Sequence, residues 1–239
     1  MSFIKNILKY LSTRLFTLKF LDRVSQNIIW RKIIDKKKPK VTVNIKSTLN
    51  SESWDKSLRY KVWDKIPEYI DVNKDILYME FGVWKGESIK YFAKKYKSSN
   101  SEFYGFDTFY GMPNKWRWLE KGHYSTSGEV PKIDDKRIKF EKGLFQDTLP
   151  NFMEKLSNES KNKTILINFD AVLYTATLFT LFKLNEHIKN YYFLFDQFYT
   201  ECRAFHNFNN SNIKDYDLYL TCNYKDSPEV VFGKYHLNK

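Results

Sequence analysis

Apolar residues return along this chain in two rhythms. Near the start they recur at helical spacing, at Ile4, Ile7, Leu8, Leu11, Leu15, Leu18, Leu21, Val24 and Ile28, with Lys5, Lys9, Arg14, Lys19 and Arg23 between them. That pattern predicts a basic amphipathic helix, or two with a bend, over residues 3–29. A second helical stripe, Trp54, Leu58, Val62, Ile66 and Tyr69, fills residues 54–69 and is kinked or ended by Pro67. Short apolar runs then take over at Ile76–Phe81, Phe103–Phe106, Ile138–Phe140, Ile165–Phe169 and Tyr192–Phe195. Helical patterns begin near Glu87, Asp147, Tyr174 and Tyr199. Strand and helix thus alternate with the length of a βα unit, which predicts an α/β fold: a Rossmann-like, mostly parallel sheet with helices on both faces. The end is different. Tyr216–Cys222 and Glu229–Tyr235 are strand-like runs with no helix between them, so a C-terminal antiparallel hairpin is expected at the sheet edge.

The length of 239 residues suits one such domain, burying about 70% of its unfolded surface, plus an extension. The expected division is a basic arm over residues 1–40 and a single domain over residues 41–239. Charge sharpens that division. The net charge is +12, but residues 1–40 hold 11 basic and 2 acidic side chains while the rest carries 29 and 26. A nearly neutral body argues against nucleic acid as the partner, and the question of charge becomes one about the arm. The arm is expected to pack on the body or on a second subunit, or to touch an anionic membrane surface peripherally. The run Lys36–Lys40 reads as a solvated linker. Two cysteines, Cys202 and Cys222, have neither disulfide-framework nor metal-ligand spacing. No apolar run reaches the roughly 18 residues that span a bilayer, and the N-terminus lacks a signal-peptide pattern, so a cytoplasmic protein is expected.

The chemistry concentrates where strands end. Ile76–Phe81 runs into Gly82-Val-Trp84-Lys-Gly86-Glu-Ser88, a glycine turn that opens a helix with unpaired N–H groups. Asp107 closes the next strand, where a carboxylate can accept hydroxyl protons from a ribose. Together they point to a cofactor bearing a nucleoside. A nicotinamide would satisfy these residues but does not account for the final hairpin.

Five segments in order extend the pattern: Glu80–Ser88; Phe106–Trp116, which contains Gly111-Met-Pro113; Gly143-Leu-Phe145-Gln146-Asp147-Thr-Leu-Pro150; Asp170-Ala-Val172-Leu-Tyr174; and Phe195-Asp196-Gln197-Phe198 with Glu201 and Arg203. They resemble the class I S-adenosylmethionine-dependent O-methyltransferases of the macrocin O-methyltransferase type, which act on sugar hydroxyls. The resemblance covers about residues 76–235. It implies that Glu80, Gly82 and Gly86, with Trp84 and Ser88 of the same loop, surround the methionine part of S-adenosylmethionine. Asp107 would hold the ribose, and Phe145 and Gln146 would lie near the adenine. It also implies a Mg²⁺ held at the fourth and fifth strand ends, here by Asp170, Asp196 and Gln197.

The chain departs from that family where the reaction is run. Val172 stands where a second aspartate, the candidate general base, is expected, and Gln197 replaces a second acid. Loss of a general base costs on the order of 10²- to 10⁴-fold in rate. Asp170, Tyr174 and His123 are the remaining candidates for handling the proton. The last lies in the long polar segment 111–136, which also carries Trp116, Trp118 and Tyr124 and is long enough to be a substrate lid. Glu201 and Arg203 are expected to form a supporting ion pair. The implied activity is O-methyl transfer to a small-molecule, sugar or glycan acceptor. The alternative is a weakly active or inactive cofactor-binding homologue serving as a partner protein.

Overall fold

A computed structural model describes residues 14–45, 57–211, 214–224 and 227–237. Helix α1 (Arg14–Lys36) leads to strand β1 (Val41–Ile45). Helix α2 (Ser57–Trp63) and a 3₁₀ turn (Ile66–Glu68) precede β2 (Ile76–Phe81). Then follow α3 (Glu87–Lys95), β3 (Glu102–Asp107), β4 (Ile138–Lys142), α4 (Phe145–Lys155) and the short α5 (Asn158–Asn162). The chain closes with β5 (Thr164–Phe169), α6 (Tyr174–His187), β6 (Tyr191–Phe195), α7 (Phe198–Ser211), β7 (Lys214–Tyr224) and β8 (Ser227–Leu237).

The eight strands form one sheet in the order β1-β7-β8-β6-β5-β2-β3-β4. Pairs from β4 through β6 are parallel, while β8 is antiparallel to both β6 and β7. The parallel α/β sheet with a C-terminal hairpin is therefore present, and it reverses direction of growth between β2 and β5, the crevice where such sheets bind ligands. The hairpin is not the sheet edge, however. Val41–Ile45 pairs parallel with Leu220–Tyr224 and takes that place. Its alternating, β-branched Val-Thr-Val is a strand signal that the preceding lysine run obscures.

Period-two alternation sets both faces of the sheet. Leu77, Met79, Phe81, Phe106, Ile165, Ile167, Phe169, Phe193 and Phe195 join one buried cluster, against which α1, α4, α6 and α7 pack. Ile76, Tyr78, Phe103, Leu166 and Leu194 join the other, with Val62, Trp63, Ile89 and Phe92 of α2 and α3. Four phenylalanines cross the sheet at the last strand positions of β2, β5 and β6 and the last but one of β3. Phe81 stacks on Phe106 at 4.8 Å and on Phe169 at 6.0 Å, and Phe169 stacks on Phe195 at 4.6 Å. Each stacked pair adds about 0.5–1.5 kcal/mol beyond area burial. The row fixes the register, so the residue after each ring emerges on the opposite face: Asp107, Gly82, Asp170 and Asp196.

From Gln26 to Lys37 the arm packs on the body. Trp30 and Ile33 are buried, Trp30 meets Phe198 edge-on at 5.7 Å, and the Cys202 thiol donates to Gln26 Oε1 at 2.6 Å. Lys37 pairs with Asp215 at 2.7 Å, so the lysine run is partly tethered. Residues 1–13 of the predicted basic helix lie outside the described residues. No helix among the described residues is long and apolar enough to cross a membrane.

Candidate functional site

A cavity of about 540 Å³ opens at the C-terminal ends of β2, β3, β5 and β6. Its lining comes from the Gly82–Ser88 loop, Asp107 and the segment after it, Leu144–Gln146, Asp170–Leu173, Gln197 and Arg59.

The loop after β2 is held by backbone geometry and by one carboxylate. Gly82 has φ +97°, and a Cβ there would collide with the Asp170 carbonyl, so only glycine lets the two strand ends lie this close. Gly86 caps α3 in the left-handed conformation, φ 73°. Between them the Val83 and Trp84 N–H groups donate to Asp107 Oδ2 at 2.8 and 2.9 Å, while the Phe109 N–H donates to Oδ1 at 2.8 Å. A carboxylate offers about four lone-pair sites, and three are filled. One site on Oδ1 remains to accept a hydroxyl proton from a ligand, where the sequence suggested two.

Glu80 and Gly86 stand behind the wall rather than in it. Glu80 is fully buried and accepts from the hydroxyls of Ser88 (2.5 Å) and Tyr78 (2.7 Å). Burial pushes its carboxyl up to about 8, against the opposing effect of those two hydroxyls. It braces the first turn of α3, and Ser88 is the residue of that pair that lines the cavity. Trp84 lines it as well and meets Tyr124 edge-on at 5.6 Å. Phe145 lines it from the opposite side, resting edge-on against Phe81 at 5.3 Å, with Gln146 exposed beside it.

The β5 and β6 ends are organised differently. Glu80 pairs in register with Asn168, and Phe169 with Phe195, so one further step sets Asp170 beside Asp196. Adjacent parallel strands lie about 4.8 Å apart, and two carboxylates at that spacing in a buried site repel. Arg59 of α2 stands between them. Its Nη2 is 3.7 Å from Asp170 Oδ2 and its Nη1 is 3.9 Å from Asp196 Oδ2. Burial pulls the guanidinium pKa down, but Asp196 and Asp170 more than offset this and leave it raised. The Trp63 ring lies 5.3 Å from the guanidinium, and its indole N–H donates to Asp196 Oδ1 at 2.9 Å. Burial raises the pKa of both aspartates, with Arg59 opposing.

This arrangement bears on the divalent ion implied by the family resemblance. Asp196 is 0% exposed and lies outside the cavity lining, with Oδ1 held by the indole and Oδ2 facing the guanidinium. Val172 offers no ligand atom, and Gln197 contributes only a neutral amide. Among the described residues no three His, Cys, Asp or Glu side chains come together as a metal group. A divalent ion does not fit the donor set as it stands, because a cation is already there.

Two proton-handling candidates fall away from the cavity. The Tyr174 hydroxyl accepts from Asn207 Nδ2 at 2.9 Å, and its ring is covered by Arg203 at 5.2 Å. His123 is exposed, its ring 4.4 Å from Tyr124, and Tyr124 is the neighbour that lines the cavity. Asp170 does face it. Glu201 and Arg203 do not pair: Glu201 is buried and accepts from Thr177 at 2.8 Å, whereas Arg203 is exposed. Two residues apart on a helix, they point to different sides. Val172 is buried with φ 53°, and Leu173 N–H donates to Ala171 O at 2.6 Å, a tight turn rare for a β-branched residue.

The segment after β3 forms one wall of the cavity through Gly111–Asn114 and Tyr124. Arg117 links it to α7, lying 5.0 Å from the Tyr199 ring and 4.9 Å from Trp116. Sequence reasoning missed Arg59 and the wall residue Met112. Arg59 carries no motif. Its one signal is the four-residue spacing to Trp63, which puts both on the same side of α2.

No family model and no curated protein matches the chain. Among solved structures it is similar to the O-methyltransferase from Bacillus cereus in complex with SAH, at 10% identity over 78% of this chain and 93% of that one, TM-score 0.47. It is also similar to the SAH-bound Podospora anserina methyltransferase PaMTH1, at 10% identity over 78% and 80%, TM-score 0.46. A cyclopropane-fatty-acyl-phospholipid synthase-like protein from Lactobacillus casei is similar at 9% identity over 75% and 90%, TM-score 0.46.

Proposed function

We propose that the chain is an S-adenosylmethionine-dependent O-methyltransferase. The observation that carries this reading is the glycine loop of β2, held by backbone N–H bonds to Asp107 at the rim of a cavity that Phe145 and Gln146 close from the far side. The carboxylate's remaining acceptor site suits one ribose hydroxyl, and Trp84, Met112 and Phe145 suit the apolar parts of the cofactor. Asp107, Asp170 and Glu87 put negative charge around a site that would hold a sulfonium. The cofactor would supply the activated methyl group. The chain's own residues would bind it, exclude water with the 111–124 wall, and hold the acceptor oxygen in line with the methyl. Asp170 is the carboxylate placed to take the acceptor's proton, since its own pKa is raised.

For the acceptor we propose a hydroxyl of a sugar, glycan or glycosylated metabolite, following the resemblance to the macrocin type and the exposed aromatic residues Tyr110 and Trp118 on the same segment. Calorimetric titration with S-adenosylhomocysteine tests the cofactor, and labelled S-adenosylmethionine with a panel of glycosides tests the acceptor. Saturable binding is expected, and its absence would sink the reading. The apolar, strained Val172 favours the second reading, a binding homologue with little turnover. Val172→Asp should raise labelled-methyl transfer by tenfold or more if a missing base is the limit, and an unchanged rate would favour the binding role.

A further inference from the structure

We propose that Arg59 is the resident cation of this site, in the position that a divalent ion takes in enzymes whose paired strand-end carboxylates bind one, so that ligand binding here is metal-independent. The register of β5 and β6 forces Asp170 and Asp196 side by side, and the alternation of the strands turns both toward α2. Two neighbouring carboxylates removed from water need a positive charge between them. Arg59 supplies it from 7% exposure, presenting a different terminal nitrogen to each partner. It is itself positioned by the Trp63 face, and the same indole donates to Asp196, so helix α2 holds both the cation and one anion.

A fixed guanidinium differs from an ion in what it can do. It cannot exchange, cannot take an acceptor oxygen into a coordination shell, and offers only N–H donors in a plane. Asp196 is consequently a buried counter-ion, and Asp170 is left as the carboxylate that both faces the cavity and is oriented from behind. Arg59 also lines the cavity and acts through Asp170 as a positioning residue.

The second arm of the test rests on the methyltransferase reading and the first does not. In the first, the full-length protein is titrated with Mn²⁺ and free ion is followed by electron paramagnetic resonance. Wild type is expected to show no saturable uptake, Arg59→Lys to behave like wild type, and Arg59→Gln to gain a site that is lost again in Arg59→Gln/Asp196→Asn. Saturable Mn²⁺ uptake by wild type that disappears in Asp196→Asn would overturn the proposal, and this holds even if Arg59→Gln does not fold. An Arg59 that is only structural predicts lower stability in Arg59→Gln with no new metal site. In the second arm, S-adenosylhomocysteine affinity is compared in EDTA and in Mg²⁺. Equal affinity is expected, and a tenfold or greater weakening in EDTA would count against Arg59. Absence of binding in both buffers removes the methyltransferase reading while the manganese result still decides the role of Arg59.

Discussion

The two halves of the cavity floor solve the same electrostatic problem in opposite ways. At the β2 and β3 ends a single carboxylate, Asp107, is satisfied by three backbone N–H groups and remains at the cavity surface. At the β5 and β6 ends two carboxylates share a guanidinium, and one of them is withdrawn from the cavity altogether. Backbone donors carry partial charge and cost little to bury, so they leave a lone-pair site free for a ligand. A buried Arg–Asp pair carries full charges, and its worth depends on every partner staying in place. The first half is therefore built to receive something. The second half is built to hold itself together and to present Asp170.

Substitutions that separate the halves should differ in size accordingly. Arg59→Ala should have the largest effect, since it leaves the buried Asp196 and the half-buried Asp170 side by side without a cation. A loss of about 3–5 kcal/mol is expected in denaturant unfolding, with most of it recovered in Arg59→Lys. Gly82→Ala probes the seam between the halves. The left-handed backbone alone should cost about 1–3 kcal/mol, and the collision with the Asp170 carbonyl should add to this and shift the β5 end. A thermal midpoint indistinguishable from wild type would mean the two strand ends are not in contact.

Asp107→Asn should be milder for stability, about 1–2 kcal/mol, because one acceptor oxygen survives while another becomes a donor facing N–H groups. Its larger effect should fall on the ligand: S-adenosylhomocysteine affinity is expected to drop about tenfold or more, as the one charge-assisted contact left to a ligand hydroxyl is weakened.

The last expected effect is a slope with pH rather than a fixed loss. Glu80 has a folded pKa of about 8 against 4.5 as its ordinary value. Between those values the unfolded chain has released the proton that the folded chain keeps, so the contribution of Glu80 to stability falls as pH rises through that window. Glu80→Gln removes the titration. Its melting temperature relative to wild type should rise steadily from pH 5 to pH 8, and a difference independent of pH would show that Glu80 titrates normally.

Much of this molecule is legible in its sequence because short-range periodicity carries it. The βα spacing and the hairpin are read directly. So are the four Phe-Asp or Phe-Gly steps at residues 81–82, 106–107, 169–170 and 195–196, since alternation makes a ring on one face imply a polar residue on the other. What periodicity does not carry is pairing at a distance. The strand Val41–Ile45 is too short to announce its partner more than 170 residues away. Tyr174 follows a strand end and His123 lies in the long polar segment after β3, yet one is turned toward Asn207 and the other toward solvent. Arg59 is the sharpest case, one of two basic residues in a helix that sequence marks only as apolar on one side.

By itself the sequence determined the α/β sheet, the glycine loop and the placement of acids at the ends of β3, β5 and β6, because each follows from local steric preference or from alternation along one strand. Only the tertiary structure decided which charge those acids meet. Electrostatic partnership depends on distance through space, and α2 reaches Asp170 and Asp196 across 111 and 137 positions of chain with no local pattern to mark it.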